Sequence, residues 1–284
     1  MSKLALEDLL GADLLVLAAT LPSRVVSARS ITGLRAPALS RATFRLRLAG
    51  GALVKARRME SAEDAKRVET LAARLDPHTF TQPFARHGVA LLEPWVQGEP
   101  LDATSADSAV VRACGAALGM VHAVRVELDN ETRRWIPAGR LANVEQRLDR
   151  LVAMRALSAR TGQRLATLAR RTVPETAATG IVHRDLWPRN LIVDRGGKVR
   201  VVDIGSIGYG AHAFDLARTA YLWPMTSEQY KAFREGYAEK AGKPDDVSPF
   251  WSIDVMTEVA LFRRLSGARG VSRPLDRLRT LAAS

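Results

Sequence analysis

Two carboxylates and an amide stand at a spacing that could do chemistry on phosphate esters. Asp185 lies in the stretch IVHRDLWPRNLIVD at 181–194, Asn190 follows it by five residues, and Asp203 comes eighteen residues after Asp185 in KVRVVDIGS. The apolar runs at 191–193 and 199–204, broken by Gly196 and Gly197, predict a strand pair with a tight turn. A short loop before the first strand would then present Asp185 and Asn190, and the second strand would deliver Asp203 to the same end. That set suits transfer of a phosphoryl group from a nucleotide. One carboxylate takes the proton of a hydroxyl, while an amide oxygen and a second carboxylate hold Mg²⁺ against the phosphates. Mg²⁺ favours such an oxygen-only set, with water and phosphate at its other positions. Singly each piece is commonplace: a His-Arg-Asp is usually a surface turn or an ion pair, and Asp203 alone would be a strand-end cap. The joint spacing, completed by Asp215-Leu216-Ala217, is what points to a site.

The elements that must carry such a site are legible upstream. FRLRLAGGALVKARR at 44–58 alternates and turns at Gly50-Gly51, which predicts a hairpin whose second strand bears Lys55. AEDAKRVETLAARL at 62–75 places Val68, Leu71, Ala72 and Leu75 at helical spacing with Glu69 beside them. A strand-like run, VALLEPWVQGEPL, follows at 89–101. Residues 1–98 therefore read as an α/β lobe and 99–284 as a mainly helical one holding the two catalytic strands, with the boundary near Gly98 to Ser105.

His-x-Asp-x-x-x-x-Asn followed by a strand-borne Asp-x-Gly resembles the catalytic signature of protein-kinase-like enzymes. HRDLWPRN with DIGSIGYGAHAFDLAR looks most like the aminoglycoside phosphotransferase and choline-kinase branch, which phosphorylates small molecules. The resemblance covers about Arg41 to Ala220 by motif. It implies an α+β, two-lobed protein-kinase-like fold, with a small antiparallel-sheet N-lobe and a larger, mainly helical C-lobe. It further implies Asp185 as the base, with Asn190 and Asp203 as catalytic residues that bind Mg²⁺ on ATP or GTP. Lys55 becomes the strand lysine on the α and β phosphates, with Glu69 as its helix partner, since a flexible ammonium must be held in one place to neutralise phosphate. Backbone groups from Glu93 to Val96 would meet the adenine edge, with Trp95 packing near it. Asp215 would brace the catalytic loop. The phosphate-covering loop departs from pattern: ITGLRAPALS has one glycine, Gly33, so Ser40, Arg41 and Thr43 would supply contacts that backbone amides of a Gly-rich loop otherwise make.

Composition narrows the rest. A chain of 284 residues that is 47% hydrophobic can bury a sizeable core. The net charge of +12 is spread evenly, +4 in each of 1–100, 101–180 and 181–284, so nucleic acid is not the expected partner. The expected partners are a nucleotide and a hydroxyl-bearing small molecule, with a peptide hydroxyl, or a non-catalytic nucleotide-binding scaffold, as the alternatives. Little acidity is left over for a polycationic acceptor, unless Asp245, Asp246 and Asp254 cluster. Trp187, Tyr221, Trp223 and Trp251 would either line an acceptor pocket or join the core. The single cysteine, Cys114, cannot form an internal disulfide, which points to a reducing compartment. Glu7, Asp8 and Asp13 interrupt the apolar N-terminus, which reads as an amphipathic helix, and no run approaches a membrane span. A cytoplasmic protein without membrane contact is the expectation.

Overall fold

Alternation decides the first sheet. In the structure, a computed structural model, the described residues are 9–31, 42–128, 130–194, 198–244, 246–267 and 270–283, with backbone alone for 131–135. Strands β1 (Val25–Ser30), β2 (Ala42–Leu48), β3 (Leu53–Arg58), β4 (Ala85–His87) and β5 (Ala90–Pro94) form one antiparallel sheet in the order β1-β2-β3-β5-β4. Phe44, Leu46, Val54, Ala56 and Leu92 cover one face and bury Leu14 and Leu17 of helix α1 (Ala12–Ala19). The predicted hairpin is present, with Gly51 at the positive φ of +82° that its tight turn demands. The strand expected over 89–101 ends at Pro94, which lacks the N–H a longer ladder would need. Helix α2 (Ala62–Ala72) starts at Ser61, whose hydroxyl accepts the Asp64 amide at 3.0 Å, and buries Ala65, Val68, Leu71 and Ala72.

The chain divides into two units, Met1–Asp102 with Pro188–Gly208, and Ala103–Trp187 with Tyr209–Ser284. The sequence-based division at 98/99 keeps the two catalytic strands with the helical part; the structure attaches them to the first unit. The reason is hydrogen bonding. Strands β7 (Leu191–Val193) and β8 (Val199–Val201) pair with each other, and the Thr81 and Leu101 amides donate to Val201 O at 3.0 Å and Leu191 O at 2.8 Å. The Gly196-Gly197 turn lies outside the described residues.

The second unit is helical apart from strands β6 (Thr179–Val182) and β9 (Gly208–Ala211). Helices α3 (Ser108–Ala123) and α7 (Ser227–Ala241) meet backbone to backbone: a Cβ on Gly115 would lie 1.9 Å from Phe233 O, and one on Gly236 1.9 Å from Arg112 O. Cys114 on α3 is fully buried, and burial pushes its thiol up to about 12, so it is protonated and inert. Helices α4 (Asn130–Ala153), α5 (Ala159–Thr172), α6 (His212–Leu222), α8 (Pro249–Ser266) and α9 (Ser272–Ala283) enclose a second core that includes Tyr221 and Trp251. No helix among the described residues is long and apolar enough to cross a membrane.

Candidate active site

In the first unit the site grows from the polar face of the sheet. Lys55 and Arg57 lie two apart on β3, so they share the face opposite Val54 and Ala56. Register sets Lys55 opposite Glu93 on β5. Glu93 is fully buried and takes both cations, Lys55 Nζ at 3.1 Å and Arg57 Nε at 2.9 Å. Arg57 then extends an Nη2 to Asp203 Oδ1 at 2.8 Å, and Lys55 Nζ donates to Val202 O at 2.5 Å. Burial and the Arg57 charge hold the Lys55 ammonium below its usual range, against the pull of Glu93 and Asp203. For Arg57, burial is outweighed by the Asp203 and Glu93 carboxylates, and the guanidinium stays charged. Burial would raise Asp203, but Arg57 and Lys55 hold its carboxyl well below the carboxylate range.

Asp203 is therefore an anion. Its Oδ1 takes Arg57 and the Gly205 amide, at 3.2 Å, while Oδ2 has no partner among the described residues. Gly205 is needed here, since a Cβ would lie 2.2 Å from Arg57 Nη1. Asn190 ends the 3₁₀ turn Pro188–Asn190, and its carbonyl accepts the Val202 amide at 2.9 Å, which places it next to Asp203 across the β7–β8 ladder. One open carboxylate oxygen beside an amide fits Mg²⁺, which takes its remaining ligands from phosphate and water. No group of three His, Cys, Asp or Glu side chains placed to hold a metal ion occurs among the described residues.

One expectation changes. Glu69 does not hold Lys55: its Oε2 meets Arg86 Nε at 2.7 Å, while Lys55 is held by Glu93. The helix turns Val68 and Leu71 inward, so Glu69 falls at its edge, toward β4. The Glu93 side chain is accordingly an internal counter-ion, and only its backbone remains for a base edge. Trp95 follows β5 and carries the Arg45 guanidinium 5.6 Å from its ring centre, with Val96 half-buried beside it. Ser40 and Arg41 lie outside the described residues, and Thr43 is buried on β2. Sequence reasoning missed Arg57, although Arg57 two residues beyond Lys55 on an alternating strand was a usable signal.

In the second unit β6 delivers His183-Arg184-Asp185. Asp215, at the start of α6, is fully buried and accepts the His183 amide at 2.5 Å through Oδ2 and the Arg184 amide at 2.7 Å through Oδ1. His122 Nε2 approaches the same Oδ2 at 3.2 Å and its Nδ1 meets the Tyr237 hydroxyl at 2.8 Å. Burial would raise the Asp215 carboxyl, but the His122 hydrogen bond and the neighbouring ring charges and amide hold it down. The loop so anchored places Arg184 at φ +65°, a strained conformation for an arginine. The Asp185 amide donates to His183 Nδ1 at 3.2 Å, which ties the loop to the ring. Arg218 Nη2 stands 3.7 Å from Asp185 Oδ1. The acidic pocket reading dissolves for Asp246 and Asp254, Asp245 lying outside the described residues, and of the aromatic set two tryptophans join the core while Tyr221 borders a cavity with Tyr230 and Met256. Trp223 and Trp251 are packed in the core against Phe233 and Phe250, Asp254 is buried between Arg140 and Arg147, and Asp246 is 93% exposed.

The model of the phosphotransferase enzyme family matches residues 31–250. No curated protein matches the chain by sequence. Among solved structures, the choline kinase of Streptococcus pneumoniae superposes with a TM-score of 0.70 at 14% identity, covering 95% of this chain and 97% of that one. The macrolide 2'-phosphotransferase of Brachybacterium faecium gives 0.62 at 18%, covering 93% and 97%. An amicoumacin kinase in complex with AMP-PNP, Ca²⁺ and its antibiotic gives 0.65 at 14%, covering 99% and 96%.

Proposed function

Because the chain belongs to the phosphotransferase enzyme family, we propose that it transfers the γ-phosphoryl group of Mg·ATP, or of Mg·GTP, to a hydroxyl of a small molecule. The observation that carries the reading is Asp203, kept anionic by two buried cations with one oxygen open next to Asn190. Asn190 and Asp203 would hold Mg²⁺, which when bound neutralises the phosphate oxygens and orients them for displacement. Lys55 and Arg57 offset the charge of the phosphates, both fixed by Glu93 rather than by a helix glutamate. Asp185, on the loop that Asp215 braces, accepts the acceptor hydroxyl's proton as its oxygen attacks the γ-phosphorus and the nucleoside diphosphate leaves. A general base of this kind contributes about 10²- to 10⁴-fold.

The test is phosphate transfer from Mg·ATP read by product mass across aminoglycosides, amino alcohols, sugars, hydroxy acids and hydroxyl-bearing peptides. Asp185→Asn serves as the control. A product lost in that variant while Mg·ATP still binds supports the reading; equal turnover in Asp185→Asn removes Asp185 as the base.

A further inference from the structure

Arg218, beside Asp185, ends a chain of paired charges in the helical unit, and their pairing says what they are able to recognise. Asp254 and Glu258 stand four apart on α8, and Arg140 and Arg147 seven apart on α4, so each pair shares a helix face. Asp254 is fully buried and takes Arg140 Nε at 2.6 Å and Arg147 through its other oxygen. Glu258 Oε2 takes Arg140 and Arg147, both at 3.2 Å, and its Oε1 takes Arg218 Nη1 at 2.8 Å. Asp215 is filled by two backbone amides and His122. Each of these three carboxylates is thus already matched. A cationic acceptor would have to displace a guanidinium and leave it unpaired in a half-buried site, which is costly.

Arg218 is different. It lies three residues beyond Asp215 on α6, one turn on, and reaches the same loop. Glu258 fixes the guanidinium by Nη1 alone. Nη2 forms an ion pair with Asp185 Oδ1 at 3.7 Å, too long for a hydrogen bond, and the buried Nε makes no hydrogen bond. A pre-positioned guanidinium beside the base, whose Nη2 makes only a long ion pair there, has a donor left for an oxyanion, the group its planar fork matches. We propose that Arg218 is the acceptor-recognition residue, and that the acceptor carries an anionic oxygen group, a carboxylate or a phosphate ester, beside the hydroxyl it offers. Arg218 offsets the repulsion that such a group meets from Asp185. The inference rests on the phosphotransfer reading above and names the acceptor class of that same site.

The experiment uses the full-length protein with Mg·ATP and matched acceptor sets: hydroxy acids, sugar phosphates, uncharged polyols and amino alcohols. Product mass and free ADP are read together. Transfer to the hydroxy acids or to the sugar phosphates is expected, and which set responds separates carboxylate from phosphate ester. Arg218→Met should raise the KM for that anionic acceptor by about 10- to 100-fold, the worth of a hydrogen bond to a charged group. Arg218→Lys should recover part of it, and Glu258→Gln, which frees the guanidinium, should raise KM in the same direction. Melting curves establish that each variant is folded. The inference is overturned if Arg218→Met, folded, keeps the anionic acceptor's KM. It is equally overturned if the wild type hydrolyses Mg·ATP yet phosphorylates only neutral or cationic acceptors, or none. Those outcomes leave the phosphotransfer reading standing, whereas absence of both Mg·ATP binding and hydrolysis removes that reading and this one with it.

Discussion

Replacing Arg57 with Met tests the charge network at its junction. Arg57 touches Glu93 Oε1 at 2.9 Å and Asp203 Oδ1 at 2.8 Å, and its side chain is nine-tenths buried. Methionine keeps most of the volume and removes the charge. Breaking a buried pair by removing one partner costs about 3–5 kcal/mol. Lys55 still neutralises Glu93 at 3.1 Å, and Asp203 is partly open to water, so the lower end, about 3 kcal/mol, applies. For a chain of this size that corresponds to a fall in Tm of roughly 6–12 °C by scanning calorimetry. Titration calorimetry should also show weaker Mg·ATP binding, because a phosphate-facing cation is gone and Asp203 loses the group that fixes its rotamer. Arg57→Lys should restore stability only partly, since an ammonium cannot span both carboxylates. A Tm within 2 °C or so of wild type, with unchanged Mg·ATP affinity, would refute the view that Arg57 organises this half of the site.

Other consequences are equally direct. Asp203→Ala should abolish measurable Mg·ATP binding in the same calorimeter while the protein stays folded; unchanged affinity counts against its metal role. Gly115→Ala forces a Cβ to 1.9 Å from Phe233 O, where backbone cannot yield, so a loss of about 3 kcal/mol is expected in urea unfolding. His212 is pushed down to about 3 by burial and by the charge of the stacked His122 ring, despite Asp215 nearby. Its folded value lies below the unfolded 6.5, so the unfolded chain binds the extra proton and stability falls with pH through that window. Between about pH 6.5 and 5 the wild type should lose about 1.4 kcal/mol per unit more than His212→Leu, and parallel curves would exclude the histidine as the source.

How much of this was legible beforehand depends on distance along the chain. The β2–β3 hairpin, the cap at Ser61 and the order Asp185, Asn190, Asp203 all follow from residues within a few positions of one another, where periodicity and turn chemistry act. The packed fate of Cys114 and the bracing by Asp215 were also readable, the first from an apolar helical pattern and the second from the resemblance. What failed was pairing over long separations. Lys55 could have met Glu69 or Glu93; strand register put Glu93 opposite it and the apolar stripe of α2 turned Glu69 away to Arg86. Asp254 could have lined an acidic pocket, but α4 brings Arg140 and Arg147 onto it and buries it.

The sequence by itself determined the chemistry: an oxygen-rich constellation for phosphate transfer, on a scaffold whose local elements are written in their own periodicity. The tertiary structure decided which charges satisfy each other. Glu93 serves Lys55 and Arg57, and Glu258 fixes Arg218 near Asp185. A buried carboxylate accepts whichever cation the packing brings within about 3 Å, and that choice is made by the register of strands and the facing of helices rather than by neighbours in the chain.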